Sequence, residues 1–270
     1  MIEKFAGKKA LIIGGTGGIG RELAVGLAKQ GALTVLHGGS SQQGLESALA
    51  AIQEAGGRAE GFLYPADGDG AAEAILNLAA VLFGKHGGTP ESAPSRAGYA
   101  EKNYRSDMLP DILVCAWGPF FRKPIGEMNG GDWHYLIKNN LIFPGILISL
   151  VINGMIDKKW GRILLFGGTN TDTIRGFSTT AAYSAAKTGL GVLAKSVART
   201  AGPHGVTCNV ICPGLTDTEY TDEGTKAYNR RLSPGGKALD PADSARMAFA
   251  VLENERINGA VIPVDAGVVL

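Results

Sequence analysis

Hydrophobic residues in this chain fall into short continuous runs separated by longer segments in which apolar positions recur every three or four residues. The first run closes at Ile13, and Ile19, Leu23 and Leu27 follow at helical spacing. Residues 33–37 form a second run, ended by Gly38, Gly39, Ser40 and Ser41, and a helix is predicted over 45–55. A short third strand at 62–66 closes on Asp67-Gly68-Asp69-Gly70, ahead of an Ala-rich helix from 71 to about 83. A fourth strand at 111–117 leads into a long helix from about Gly131 through Asn140 to Ile156, in which Pro144 predicts a kink. Strands at 161–166, 206–212 and 260–264 and helices at 181–201 and 242–252 complete the alternation, with a polar, lid-like loop containing some helix at 216–241. Strand and helix alternating in this way build a parallel sheet covered on both faces, so the expectation is an α/β fold in one domain over 1–270.

One segment breaks the rhythm. Residues 84–110 are rich in Gly, Pro and Ser and far exceed the usual helix-to-strand link. Because the segment leads from a helix into a strand, it belongs at the N-terminal edge of the sheet, whereas ligands of open α/β sheets sit at the C-terminal edge. It therefore reads as an inserted surface loop or a subunit contact, away from substrate.

Composition narrows the function classes. With 45 % hydrophobic and 19 % charged residues in 270, the chain can bury a full core. A net charge of +1 with mixed signs offers no footprint for nucleic acid or a membrane surface. No signal or anchor pattern is visible, which points to the cytoplasm. Cys115, Cys208 and Cys212 are odd in number and lie in apolar runs, so they read as reduced core thiols, and no metal site is expected.

Two stretches carry chemistry. Five glycines between Ile13 and Arg21 join a strand to a helix, and glycine's tolerance of positive φ lets backbone N–H groups and the helix N-terminus approach a pyrophosphate. Tyr183 and Lys187 stand at i and i+4 on one helix face, where an ammonium is expected to lower a phenol's pKa towards neutrality for proton exchange with a carbonyl or alcohol oxygen.

Together these stretches resemble the short-chain dehydrogenase/reductase family in its single-domain form, over nearly all 270 residues. The resemblance implies a Rossmann-like, doubly wound, three-layer fold. The family's first-strand pattern falls on Ile13, Gly14, Gly18 and Gly20, with Ile13 replacing a Thr; Thr16, Gly17 and Ile19 complete a cofactor-binding turn. Asp67 resembles the adenine contact, and Cys115-Ala116-Trp117-Gly118 replaces the usual Asn-Asn-Ala-Gly, leaving Ala116 and Gly118 as cofactor neighbours. Asn140 resembles the catalytic Asn, with Asn139 as a competitor; Tyr183 is the acid/base and Lys187 its partner. Pro213, Gly214, Thr216 and Thr218 resemble the segment that closes over the nicotinamide, and Asn258 to Gly267 the last strand, with Ala266 in place of a Gly. The family's catalytic Ser is missing: counting from the fifth strand gives Gly168, counting back from Tyr183 gives Asn170, and Thr169 or Thr171 are alternative hydroxyls, Thr169 being favoured.

At the end of the second strand Gly38, Ser40 and Ser41 replace the acid that would select NAD, so NADP is favoured with NAD possible; Arg21, Ser40 and Ser41 are the groups left for a 2′-phosphate. The implied activity is hydride transfer between NADP(H) and a small-molecule carbonyl or alcohol, with 3-oxoacyl or other ketone reduction as the default. The alternative is a non-catalytic NAD(P)-binding sensor. Enoyl reductases of the superfamily space Tyr and Lys further apart. Small residues on the Tyr183 helix resemble a surface used for dimers or homotetramers.

Overall fold

A computed structural model describes residues 3–85 and 106–268. Seven strands form one sheet: β1 (Lys9–Ile13), β2 (Leu33–Gly38), β3 (Arg58–Leu63), β4 (Ile112–Cys115), β5 (Gly161–Phe166), β6 (Val206–Pro213) and β7 (Val261–Val264), all parallel in the order β3-β2-β1-β4-β5-β6-β7. The helices are α1 (Gly18–Lys29), α2 (Gln42–Glu54), α3 (Ala71–Lys85), α4 (Gly130–Ile137), α5 (Phe143–Asp157), α6 (Ala181–Ala201), α7 (Glu223–Leu232) and α8 (Pro241–Glu253). Strand order reverses between β1 and β4, and the loops leaving their C-terminal ends open a crevice there.

Alternate residues of each central strand enter two different cores, which is why these strands read as continuous apolar runs. Ala10 and Ile12 of β1 pack with Leu23 and Leu27 of α1, Ile52 of α2 and Val251 of α8. Leu11 and Ile13 face the other way, onto Ile75 of α3, Leu147 and Val151 of α5 and Leu190 of α6. The result is the three-layer α/β fold that the alternation predicts.

Two local expectations change. The third strand is Arg58–Leu63, four residues earlier than 62–66. As a part-exposed edge strand, it needs no continuous apolar run and shows none. The long helix is divided by a π-helical turn, Lys138–Ile142, with Pro144 in the first turn of α5. Proline has no N–H for the carbonyl four residues back, which is that of Asn140, and the wider turn absorbs the break. The run Gly130–Asp157 is long and apolar enough to cross a membrane, yet Phe143, Leu147, Val151 and Met155 are buried in the core, as a core helix requires. Most of the expected insertion at 84–110 lies outside the described residues; its end forms a single turn, Ser106–Met108, and Asp111 then accepts from the backbone of Lys9 at 2.9 Å.

Candidate active site

The turn after β1 is tied to β2 through its backbone. Gly14 has φ +78° and Gly18 +50°, conformations that disfavour a side chain. The N–H groups of Gly14 and Gly15 both donate to the His37 carbonyl at 3.0 Å, tying the turn to β2. A Cβ on Gly20 would lie 2.1 Å from the Gly14 oxygen, so α1 can approach β1 only with glycine there. A Cβ on Gly38 would come within 2.5 Å of Thr16 Cγ2, and one on Gly14 within 3.0 Å of Trp117 Cβ and 3.1 Å of Ala116. Thr16, Gly38 and Ala116 thus gather around the turn, while Ile19 packs into the core beneath it.

At the head of α1, Gly17 supplies no side-chain cap. The orphan N–H of Gly18 instead donates to the Glu219 carboxylate at 3.1 and 3.2 Å, and Arg21 Nη1 lies 3.7 Å from the same group. A Cβ on Gly17 would meet the Tyr220 hydroxyl at 2.4 Å. A helix N-terminus with free amides favours an anion, and here a protein carboxylate takes that place. The turn therefore fits a pyrophosphate: its steric cradle is preserved and the Gly18 amide already binds a negative oxygen. Glu219 and Tyr220 carry no motif, and only a carboxylate in the segment after Pro213-Gly214 hinted at them.

Other expected cofactor contacts are spread along the same edge. Ser40 and Asp67 are exposed, and Ser41 Oγ accepts from Gly44 N at 3.0 Å as the N-cap of α2. Gly214 follows β6, and a Cβ there would lie 2.6 Å from Asp265 Cα. Thr216 donates to the Gly214 carbonyl at 3.1 Å and bridges to Leu239. Thr218 Cγ2 stands 3.3 Å from where a Cβ on Gly18 would be, so this segment already reaches the cradle. Ala266 has φ +53°, the left-handed conformation that favours the glycine it replaces.

Across the crevice, α6 carries Tyr183 and Lys187 one turn apart, with Lys187 Nζ 5.7 Å from the phenol ring. Lys187 is 5 % exposed and donates to the Phe166 carbonyl at 2.8 Å. Asn140 is fully buried on the π-helical turn, where Nδ2 donates to Pro119 and Leu136 carbonyls at 2.9 and 3.0 Å. Its Oδ1 has no partner. A Cβ on Gly118 would lie 2.1 Å from Asn140 Oδ1 and 3.2 Å from Lys187 Nζ, so glycine here lets the three groups meet. Asn139 instead donates to Tyr135 of its own helix at 2.8 Å, and of the two asparagines it is Asn140 whose Oδ1 reaches this meeting point.

The missing hydroxyl resolves differently from the expectation. A Cβ on Gly168 would lie 2.9 Å from the Tyr183 hydroxyl, so Gly168 is the residue facing the phenol. Thr169 turns its hydroxyl to the Pro213 carbonyl at 3.2 Å. Thr171 closes the turn, accepting from Gly168 N at 2.8 Å and donating to its carbonyl at 2.9 Å. Asn170 is 5 % exposed at φ +60°, with Nδ2 unpartnered. The sequence count split between Gly168 and Asn170 because this turn has no periodicity; only the approach of Tyr183 fixes the position.

Electrostatics also differ from expectation. Burial pushes the Tyr183 phenol above its ordinary value, reinforced by the Cys212 thiol, rather than down. The same burial lowers Lys187 to about 8, against opposing contributions from Cys115 and Cys212. In a water-excluded site each charged form loses hydration, which raises the phenol and lowers the ammonium. Phe120 closes the side of the phenol, edge-on at 4.9 Å.

A parallel doubly wound sheet, a glycine cradle at the strand-order reversal and a Tyr/Lys/Asn cluster across the crevice define a nucleotide-dependent oxidoreductase. A family model described as enoyl-(acyl carrier protein) reductase matches residues 14–269, and the chain belongs to the short-chain dehydrogenase/reductase family. It is 28 % identical over 270 residues to 2-dehydro-3-deoxy-D-gluconate 5-dehydrogenase of Formosa agariphila, covering 97 % of this chain and 92 % of that one. It is 27 % identical to 3-oxoacyl-[acyl-carrier-protein] reductase of Pseudomonas aeruginosa, covering 97 % of each. The structure of an NADP-bound 3-oxoacyl (acyl-carrier-protein) reductase from Agrobacterium tumefaciens C58 superposes with TM-score 0.80 at 25 % identity, over 98 % and 96 % of the two chains.

Proposed function

We propose that this protein reduces a ketone on a small molecule with NADPH, and runs the reverse oxidation with NADP. The observation that carries this reading is the convergence of Tyr183, Lys187 and Asn140 opposite an anion-binding glycine turn. Bound nicotinamide supplies the hydride. Gly14, Thr16, Gly17, Gly18, Ile19 and Gly20 would form the cradle for the pyrophosphate, Gly14 and Gly20 by leaving room for it and Gly18 by turning its amide to it as the carboxylate of Glu219 gives way. Gly38, Ser40 and Ser41 place no carboxylate beside the adenosine ribose, which removes the repulsion that would exclude a 2′-phosphate. Asp67 receives the adenine, Ala116 and Gly118 line the ribose side, and Pro213, Gly214, Thr216 and Thr218 close over the carboxamide.

Tyr183, kept protonated by its raised pKa, gives its proton to the carbonyl oxygen as hydride reaches the carbon. Lys187 would hold the nicotinamide ribose and return a proton to the phenolate, and a water held by Asn140 would link Lys187 to solvent, from which that proton is replaced. The relatives carry dehydrogenase and reductase names, which favours an enzyme over a mere nucleotide sensor. The i, i+4 spacing of Tyr183 and Lys187 favours a ketone over an enoyl substrate. The protein acts in the cytoplasm as a dimer or tetramer, for which Val192 on α6 and Ile146 on α5, 68 % and 37 % exposed, offer apolar contact; light scattering reads the assembly.

NADPH oxidation against a ketone panel tests the reading. Turnover falling about 10²–10⁴-fold in Tyr183→Phe, with cofactor binding retained, supports it. Tight cofactor binding without turnover of any ketone overturns it.

A further inference from the structure

Beyond the reducing centre, a chain of ring contacts leads from the catalytic phenol to two guanidinium groups. Phe120 stacks edge-on against Tyr183 at 4.9 Å and 79° and is itself 53 % exposed. Arg122 lies 5.9 Å from the Phe120 ring and 5.3 Å from the Tyr228 ring of α7. Arg231, one turn further along α7, lies 5.5 Å from the same Tyr228 ring. The loop after β4 and helix α7 thus meet beside Tyr183, and Arg122 on the Tyr228 ring is the cation that joins them.

Neighbouring charges are not arranged in the same way. Lys123 is paired with Asp132 at 2.6 Å and Lys226 with Glu223 at 2.8 Å. Among the described residues Arg122, Arg230 and Arg231 have no carboxylate within ion-pair distance, and Arg122 and Arg231 are exposed. Aromatic faces hold a guanidinium in place without neutralising it. Two positioned, unneutralised guanidiniums beside a reducing centre suit a carboxylate or a phosphate, which an Arg fork binds bidentately.

We infer that Arg122 and Arg231 select a ketone carrying an anionic group, carboxylate or phosphate, at the end remote from the carbonyl. The inference rests on the reductase reading above and names the substrate class of that site. Phe120 is the spacer: it sets the distance between the carbonyl at Tyr183 and the charge at Arg122.

Matched ketones test it: one with a free carboxylate, its methyl ester, and one of similar length ending in phosphate. The variants are Arg122→Gln, Arg231→Gln and, as a remote control, Arg256→Gln. The expected result is a preference of at least tenfold in kcat/KM for an anionic ketone over the ester, carried in KM. Arg122→Gln should raise KM for the anion about tenfold, with the ester and the Arg256→Gln enzyme unchanged, and raised salt should erase the preference. Whichever anion loses more in Arg122→Gln identifies carboxylate or phosphate as the natural group. Equal treatment of anion and ester by the wild type, or an equal loss of both in Arg122→Gln, overturns the inference while leaving the reductase reading intact. Turnover confined to a carrier-protein thioester also overturns it. Absence of all turnover would sink the reductase reading instead, and calorimetric titration of the same ketones onto NADP-loaded protein then decides the charge preference by itself, equal affinities overturning it.

Discussion

The turn between β1 and α1 and the groove between β5 and α6 lie on one edge of the same sheet, yet they are made of different material. The turn is backbone: glycines whose missing Cβ atoms admit Gly14 against Trp117 and α1 against β1, and the Gly18 amide, which binds an anionic oxygen. The groove is side chain: a phenol, an ammonium and an amide brought together from α6 and the π-helical turn, the first two with pKa values shifted by burial. A backbone site fails by steric collision and a side-chain site by loss of a group. Substitutions in the two should therefore separate cofactor affinity from turnover.

After Tyr183→Phe, the largest effect is expected at Lys187. Lys187→Met should lower kcat/KM about 10²–10³-fold if, as proposed, this group returns the proton. The same substitution should stabilise the cofactor-free protein at neutral pH. A lysine whose folded pKa is about 8 binds its proton less readily than the unfolded chain, whose value is roughly 10.4. Its cost is therefore fully present below pH 8 and declines as pH rises from about 8 to about 10.4, at roughly 1.4 kcal/mol per pKa unit. Urea unfolding at pH 7 and pH 10 measures this: the stability gap between Lys187→Met and wild type should shrink at the higher pH, and a constant gap refutes the assignment.

Gly20→Ala tests the backbone half. Its Cβ would meet a carbonyl oxygen at 2.1 Å, so α1 must move away from β1. NADPH affinity should fall at least tenfold with a lower Tm, as strain of about 1–3 kcal/mol is absorbed at the turn. Unchanged affinity by fluorescence titration would mean that the turn is not the cradle.

Gly168→Ser sharpens the boundary between the halves. It restores the hydroxyl of the usual family pattern, but its Cβ would crowd the Tyr183 ring and hydroxyl at 2.9 Å. A several-fold drop in kcat is expected, with NADPH affinity unaltered; a rise in kcat would mean that the phenol has room to retreat and that the missing donor limits the rate.

The same division explains what could be read from the sequence. Gly14, Gly18 and Gly20 were legible because a steric need leaves one acceptable residue type, whatever the rest of the fold. Tyr183 and Lys187 were legible because helical periodicity alone puts them on one face. The position facing the phenol was not, since 168–180 is an aperiodic turn and two counts through it disagree. Nor was the π-helical turn: Pro144 marked a break in the helix, but the widening falls at Asn139 and Asn140, one step earlier. The direction of the Tyr183 shift escaped as well, because spacing shows which residues share a helix face but not the burial that raises the phenol.

The smallest expected effect lies where the two halves touch. Glu219, on the segment after β6, accepts from Gly18 N and stands 3.7 Å from Arg21, in the place where the cofactor's phosphates would approach. An anion arriving there must displace a carboxylate held by one backbone N–H and a part-exposed ion pair, a pairing that contributes about 1 kcal/mol or less. Glu219→Gln removes the competing charge while keeping the size of the side chain. NADPH should then bind about three- to fivefold more tightly at low ionic strength, with the advantage fading as salt screens the repulsion in the wild type. Weaker binding in Glu219→Gln would reverse the picture, making the carboxylate a support for the closed segment and joining the lid to the side-chain half of the site rather than to the cradle.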